Sequence, residues 1–561
     1  MKSGRVIRGD EHDARVDAKQ ILEAAHAEAA RLVADGQARA TQLAHDADVL
    51  AKQLVRDARI EAAREAAQHQ HAAVAGARPL APTAVTPSDP VNDGVGGGVG
   101  GGISDRLNDR TTGGLDDTRE TPGTERARWG PPGAEASPLS RSIGSVEEVT
   151  GLVIRATVPG VALGELVQID RRAHAPLAAE VVGFRGEQAV LLPLGELAGV
   201  APAAAVWRTG GALTIRCSDA LLGRALDGLG VPIDGGPELV GESWAVDRIA
   251  PPALSRPPIT TPLATGVRVV DTLLTLGRGQ RIGLFAAAGV GKSTLLGQLA
   301  RGASADVIVM CQVGERGREL AELLGDELAP ARARTVVVCA TSDAPPLVRL
   351  RAVHVATAIA EWFRERRGAS VLFLCDSLTR VARAQREVGL SAGEPPARHG
   401  YPPSVFALLP RLIERAGATP AGSITAIYTV LVAGNDLDEP IADEVRGLVD
   451  GHVVLDRRLA QRGHFPPIDV VASTSRLMHR VVDAAHQEAA AVVRARLAVY
   501  EENRDLVLLG AYQAGRDRAV DTAITAYPAI ERVLRQDRGE TAPWDASVAA
   551  LAALAAPAKS R

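Results

Sequence analysis

Gly289, Gly291, Lys292 and Ser293 stand together in the stretch RIGLFAAAGVGKSTLL, Arg281–Leu296, in the order of a phosphate cradle. A short apolar strand leads into a turn of small residues, and a helix opens on Lys-Ser. Such a loop, here Ala288, Gly289, Val290 and Gly291, lets successive backbone N–H groups converge on an anion. The helix N-terminus at Ser293 and Thr294 adds its positive dipole end. Lys292 can reach the β and γ phosphates of a bound ligand, and the Ser293 hydroxyl can ligate Mg²⁺. The consensus for such a loop has Gly where Ala286 stands, so only Gly289 and Gly291 supply glycine's freedom.

Two acidic strand tips complete the chemistry. The run VLFLCD ends in Asp376, and an acid at the tip of a buried strand beside a phosphate loop is placed to hold a Mg²⁺ shell. The run DVIVMCQV leads into GERGREL with Glu315 at its tip. Water is a poor nucleophile, and a carboxylate that orients it or takes its proton speeds hydrolysis. Glu315 is the candidate base. Glu319 competes with it but falls within the helix that follows. Arg316 and Arg318 can neutralise γ-phosphate charge or form helix-surface ion pairs. Further on, Arg476 follows a Ser/Thr cluster and suits an arginine finger. Phe465, before Pro466-Pro467, suits either stacking on adenine or a place in the core.

These groups need a scaffold. Between residues 219 and 475 apolar runs (Arg281–Phe285, Asp306–Val313, Thr335–Ala340, Val371–Cys375, Ser423–Val432, His452–Leu455) alternate with helical stretches (Lys292–Arg301, Arg318–Leu328, Leu347–Arg366). That pattern predicts a parallel sheet with ligands beyond the carboxyl ends of its strands. Residues 143–218 carry short alternating strands punctuated by Gly and Pro, which predicts a small closed barrel. Residues 476–561 are Ala-rich and helical, with ASVAALAALAA as a packed terminal helix.

Ahead of the barrel, residues 1–75 predict a long charged helix with a thin apolar stripe through Ile21, Ala25, Leu32, Leu43, Leu50 and Leu54. The stripe is too narrow for a globular core and suits a coiled coil or a partner. Residues 76–142, with GVGGGVGGG at their centre, predict a flexible linker with a reach of roughly 45 Å.

The 561 residues carry 46 % hydrophobic and 3 % aromatic side chains and a net charge of -4. Several domains are therefore expected, with Ala, Val, Leu and Ile as core, and nucleic acid is not an expected partner. Cys217, Cys311, Cys339 and Cys375 form neither a zinc pattern nor a disulfide framework, which fits a reducing cytoplasm. The opening residues are polar and charged, unlike a signal peptide, and no apolar run approaches the roughly 18–20 residues that cross a bilayer.

Over roughly residues 145–545, GLFAAAGVGKSTLL, VGERGRELAELL, DSLTRVARAQREVGLSAGEPPARHGYPPSVFALLPRLIERAG and EPIADEVRGLVDGHVVLDRRLAQRGHFPPIDVVASTSRLM together resemble the type III secretion ATPases. That family includes injectisome and flagellar export ATPases and is related to the catalytic subunit of rotary ATP synthases. The resemblance implies a multi-domain chain: a β-barrel, a RecA-like α/β P-loop ATPase domain and an α-helical C-terminal domain, assembled as a homohexamer with ATP in the interfaces. It implies that Lys292 and Ser293 bind phosphate and Mg²⁺, Glu315 activates water, Arg316 supports it and Asp376 is the acid of the second ATPase motif. Arg476 would reach the neighbouring subunit's site, and Phe465 would pack on adenine.

The implied partners are stator and sorting-platform proteins, a central stalk protein, export chaperones with their substrates, and a membrane-embedded export gate reached through partners. The implied place is the cytoplasm, at the inner membrane's cytoplasmic face. Ala433 and Asn435 depart from acids common in the family. Residues 1–75 resemble the N-terminal helix of the family's stator protein, normally a separate chain. The competing readings are a catalytic subunit of an ion-translocating rotary ATPase and a non-catalytic nucleotide-binding scaffold. The wording EPPARHGYPPSVF speaks against the first. The joint presence of Lys292, Glu315 and Asp376 speaks against the second.

Overall fold

The computed structural model describes residues 143–432 and 437–556. The expectations for 1–75 and 76–142, and the departures at Ala433 and Asn435, lie outside the described residues. Six strands, β1 (Ile143–Thr150), β2 (Val153–Thr157), β3 (Leu166–Ile169), β4 (Leu177–Arg185), β5 (Gln188–Pro193) and β6 (Ala205–Arg208), close a barrel in the order β1-β2-β5-β4-β3-β6. Alternation puts Ile154, Val167, Ile169, Val181, Leu191 and Val206 wholly inside. Each such side chain is worth about 1.5–3 kcal/mol buried. Register shifts at Val146/Glu148 and Val181/Gly183 bend the strands enough to close. Closure leaves no edge among them.

A connecting segment follows, with β7 (Thr214–Cys217) paired to β9 (Glu242–Ala245), the edge strand β8 (Ala225–Leu226) between them in sequence, and a two-stranded pairing of β10 (Pro262–Leu263) with β11 (Leu276–Gly277). The short helix α1 (Arg268–Leu273) lies between those last two strands.

The α/β part contains β12 (Arg281–Ala286), α2 (Lys292–Gly302), β13 (Val307–Val313), α3 (Gly317–Glu322), β14 (Thr335–Ala340), α4 (Pro346–Arg367), β15 (Ser370–Asp376), α5 (Leu378–Ser391), α6 (Pro403–Ile413), β16 (Gly417–Ala418), β17 (Ser423–Leu431), α7 (Pro440–Leu448), β18 (Gly451–Leu455), α8 (Arg457–Gln461) and β19 (Ile468–Ser475). Its nine-stranded sheet runs β19-β18-β12-β17-β15-β13-β14-β8 with β16 beside β17. The strands of β13, β14 and β15 are buried along their whole length, the signature of a sheet covered on both faces.

Two details depart from the sequence expectation. The sheet is not wholly parallel: β19 and β16 pair antiparallel. The helix expected over Arg318–Leu328 stops at Glu322, widens into a π-turn over Leu323–Glu327 and tightens into a 3₁₀ run over Ala329–Arg334 that carries Pro near its start. All four cysteines are free and buried in strands. Packing rather than redox chemistry accounts for them.

Helix α4 ties barrel to sheet. Arg351 on it meets Glu180 of β4 with a 2.7 Å contact from Nε and Asp247 at 2.8 Å, and Arg415 is bidentate to the buried Glu361 at 2.8 Å on both arms. The helix ends where Gly368 turns to φ 62° and its N–H closes on the Phe363 carbonyl.

The chain finishes in α9 (Met478–Val481), α10 (Ala484–Leu508), α11 (Arg518–Leu534) and α12 (Trp544–Ala555). Asp483 and Asp517 cap α10 and α11 by accepting from backbone N–H groups. Buried Ala489, Ala490, Val493 and Leu497 face the rest of the chain from α10. The connection between α11 and α12 is fastened by Gln536, whose amide donates to Gly266 O at 2.7 Å and accepts from Arg268 N–H at 2.8 Å. Among the described residues no helix is long and apolar enough to cross a membrane.

Candidate nucleotide site

Strand β12 delivers the phosphate loop. Ala286, in the position of the consensus glycine, is the last strand residue, paired with Leu431 and Leu455 and fully buried. A strand-ending residue has no need of positive φ, so alanine is at home there. The left-handed turns come later, at Gly289 (φ 76°) and Gly291 (φ 104°). These two positions favour glycine, because an L side chain at such φ is strained. Gly291 is the N-cap of α2, with no acidic residue in the first turn, so its opening N–H groups and dipole are left for an anion. Val290 is buried and anchors the loop, whereas Ala288, Gly289 and Ser293 are exposed toward solvent.

At the carboxyl edge of the sheet, Lys292 Nζ contacts Asp376 Oδ1 and lies 3.5 Å from Glu315 Oε1. Asp376 ends β15, next to β13 in the sheet, and Glu315 follows β13 by two residues. Thr429 Oγ1 on β17 donates to the same Asp376 Oδ1 at 2.8 Å. The other oxygen, Asp376 Oδ2, is buried without a hydrogen-bond partner, and so is Ser377 Oγ. A buried, unpartnered carboxylate oxygen beside a phosphate loop fits a water-shelled divalent cation, with the exposed Ser293 hydroxyl as the second oxygen ligand.

Glu315 is held from the other side by Arg380, on the first turn of α5. Its Nη2 donates to Glu315 Oε2 at 2.9 Å, and its Nη1 donates to Gly314 O. Gly314 takes φ 69°, and a Cβ there would sit 3.0 Å from Arg380 Cδ. Burial pushes the Glu315 carboxyl above the ordinary glutamate range. The Lys292 and Arg380 charges oppose that rise, and the hydrogen-bonded Glu319 adds to it. A base with a raised pKa accepts a proton more readily near neutral pH.

Arg316 does not join this cluster. It caps α3 with its side chain 80 % exposed, 3.9 Å from Glu319, because the chain turns outward after Glu315. Arg318 likewise pairs with Glu322 at 3.3 Å on the surface. The arginine that supports Glu315 within the chain is Arg380, which the sequence reading missed. The available signal was an arginine four residues after Asp376, one helical turn along a helix leaving the same sheet edge. Arg380→Ala is therefore expected to lower ATP turnover about 10-fold or more, whereas Arg316→Ala, which leaves Glu315 and Arg380 in place, is expected to lower it less. Steady-state ATPase assays of the two variants side by side check this.

The base side of the site is a cleft of about 510 Å³ lined by Gly291, Thr294, Phe465, Gln536, Asp537 and Arg538. Phe465 is 48 % exposed, so it is not a core residue, and its ring lies 3.9 Å from where a Gly291 Cβ would stand. An exposed aromatic beside a phosphate loop suits a purine face. Phe465→Ala is expected to raise the KM for ATP about 5- to 50-fold with little change in kcat, since base stacking contributes equally to ground and transition states. Titration with a fluorescent ATP analogue gives the same answer at equilibrium.

Arg476 is elsewhere. It follows β19, whose Ser475 is opposite Gly451 at the start of β18, and β18 is parallel to β12. The residue thus lies at the amino edge of the sheet, separated from its own phosphate loop by the length of β12, about 17 Å. Its side chain is exposed, with Nη2 donating to Arg446 O at 3.2 Å.

The three parts of the fold each match a known family. Residues 146–210 match the β-barrel domain of the ATP synthase alpha/beta family, 266–475 its nucleotide-binding domain, and 482–553 the T3SS EscN ATPase C-terminal domain. The flagellum-specific ATP synthase of Bacillus subtilis is 47 % identical over 415 residues, 73 % of this chain and 94 % of the relative. The type 3 secretion system ATPase of Xanthomonas euvesicatoria is 48 % identical over 410 residues, 72 % of this chain and 92 % of the relative. Among solved structures, the assembled ATPase EscN of the enteropathogenic E. coli type III secretion system superposes with TM-score 0.70 at 42 % identity, covering 74 % of this chain and all of EscN. EscN in complex with its central stalk EscO superposes with TM-score 0.69 over the same shares.

Proposed function

Since this chain belongs to the ATP synthase alpha/beta family, in its type III secretion and flagellar export branch, we propose that it is the ATP-hydrolysing motor of a type III protein export apparatus. The observation that carries the reading is the gathering of Lys292, Glu315 and Asp376 at one sheet edge, against a loop that can hold phosphate. ATP lies with its base in the Phe465 cleft and its phosphates over Gly289–Thr294. Lys292 leaves Asp376 for the β and γ oxygens, and Glu315, steadied by Arg380, orients the attacking water and takes its proton. Ser293 and Asp376 would hold Mg²⁺, which would supply charge withdrawal at the phosphate oxygens.

The working unit is a homohexamer with ATP between subunits, in which Arg476 of one subunit stabilises the charge that develops in its neighbour's site. The exposed amino-edge position of Arg476 supports an action between subunits. A central stalk, as in the EscN complex with EscO, is the expected partner of the ring. Hydrolysis releases export chaperones and unfolds their substrates for a gate at the inner membrane, reached through partners. Residues 1–75 are read as a fused stator-like tether to the sorting platform. Recovery of platform components by the full chain, and its loss without residues 1–80, tests the tether; equal recovery ends that idea.

The discriminating measurement for the function is copurification of the full chain from its own cells. Export chaperones in the eluate support the export motor. Membrane ion-translocating subunits in their place would instead make it a catalytic subunit of a rotary ATPase.

A further inference from the structure

The amino edge of the sheet carries a set of contacts that no step above has used. Arg281, the first residue of β12, and Asp450, just before β18, grip each other reciprocally. Arg281 N–H and Nε donate to Asp450 Oδ2 at 3.0 and 3.2 Å, and Asp450 N–H donates to Arg281 O at 2.8 Å. The Asp450 carbonyl then accepts the backbone N–H of Arg476 at 3.0 Å. The same carbonyl accepts from the Gln280 amide at 3.2 Å, and that amide also donates to Ser475 Oγ at 3.1 Å. Ser475 Oγ in turn donates to Thr275 O at 2.8 Å. Gln280 is fully buried, and its own oxygen accepts from Gly277 N–H at 2.8 Å. The strands approach so closely here that a Cβ on Gly451 would lie 2.5 Å from Thr474 O.

These hydrogen bonds fix Asp450 and the two residues that launch the Arg476 side chain, and the bond from Gly277 N–H holds the Gln280 amide that joins them. Buried amides satisfied on all sides hold one geometry, because any displacement leaves a polar group unpaired. We infer that Gln280 and the Arg281–Asp450 pair are positioning residues for Arg476, aiming its guanidinium at the phosphate site of the next subunit. The inference rests on the reading of Arg476 as acting between subunits. It also gives β12 two ends with different duties: its carboxyl end carries the chain's own phosphate loop, and its amino end anchors the arginine lent to the neighbour.

The test uses full-length chains mixed in pairs. A Lys292→Ala chain keeps Arg476 but cannot grip phosphate, and an Arg476→Ala chain keeps the loop. Their mixture is expected to regain ATP turnover that neither shows alone. Absence of recovery overturns the intersubunit reading, and this inference with it. With recovery in hand, the arginine donor is changed to Lys292→Ala/Asp450→Ala. The recovered kcat is expected to drop about 10- to 100-fold at unchanged KM, the scale of a misplaced catalytic group. Lys292→Ala/Asp450→Asn, which keeps an oxygen toward Arg281, is expected to regain most of the loss. Equal kcat with all three donors overturns the positioning role while leaving the intersubunit reading intact. Separately, the single Asp450→Ala chain is expected to bind a fluorescent ATP analogue as the parent does; loss of that binding would mark a general structural role and overturn the inference.

Discussion

Glu315→Gln is expected to lower the kcat for ATP hydrolysis by about 10²–10⁴-fold, the usual worth of a positioned general base, while ATP still binds. The amide keeps the size of the side chain and can still meet Arg380, so the loop and the Phe465 cleft are undisturbed. What is lost is an acceptor for the proton of water. The pH profile separates this from a structural defect. Burial raises the Glu315 carboxyl, so the ionised, active form gains ground only as pH climbs above the ordinary glutamate range. The acid limb of kcat is therefore displaced toward neutral pH in the parent. Glu319→Gln removes a group that raises Glu315 further, so it moves that limb toward acid. Arg380→Ala removes a charge that holds it down and moves the limb toward base. In Glu315→Gln the limb disappears. Retention of full turnover by Glu315→Gln would end its assignment as the base.

Arg476→Ala is expected to cost more, about 10³–10⁵-fold in kcat, the range found for an arginine that meets a transferring phosphoryl group. Two features argue for so large an effect. Among the described residues the guanidinium is exposed at the amino edge and donates to the Arg446 carbonyl at 3.2 Å, which leaves it available to a neighbour. The strand length puts it out of reach of its own Lys292. ATP affinity should change little, because the charge it answers develops as the bond to the γ-phosphate breaks. Turnover by the parent should rise more steeply than in proportion to protein concentration, and Arg476→Ala should flatten that dependence. An Arg476→Ala chain with parental kcat would remove it from the chemistry.

Much of this site was legible in the sequence because its residues sit at the ends of strands buried on both faces. Runs such as VLFLCD are apolar to the last residue, so an acid there announces itself. Glu315 and Asp376 were legible that way and Lys292 from the small-residue loop before its helix, and the structure brings all three together. Arg380 was hidden because it belongs to an amphipathic helix rich in arginine, where Arg383 and Arg386 carry the same local signature. Only the packing of α5 against the tip of β13 selects one of them. Arg316 stands apart from Glu315 for the complementary reason: it is the N-cap from which α3 leaves, and its side chain points to solvent although it is next to Glu315 in sequence. The antiparallel β19 was obscured because STS at its end reads as loop, and its register with β18 shifts at His452/Val454. Phe465 stood open between core and ligand until its exposure was known.

The cleft wall beside Phe465, where Gln536 N–H donates to Phe465 O at 2.8 Å, has a bearing on the birth of the protein. Gln536, Asp537 and Arg538 come from the connection between α11 and α12, far along the chain from the loop at Gly291. At a synthesis rate of about 5–20 residues per second, the loop leaves the ribosome on the order of tens of seconds before those residues do. A nascent chain thus has a phosphate grip without a complete seat for the base. That wall is set in place by the helical end, through Gln536 on Gly266 and Arg268 and through Arg538 Nε on Glu327 at 2.9 Å. Until that docking the partial chain lacks part of the wall that a base would rest on.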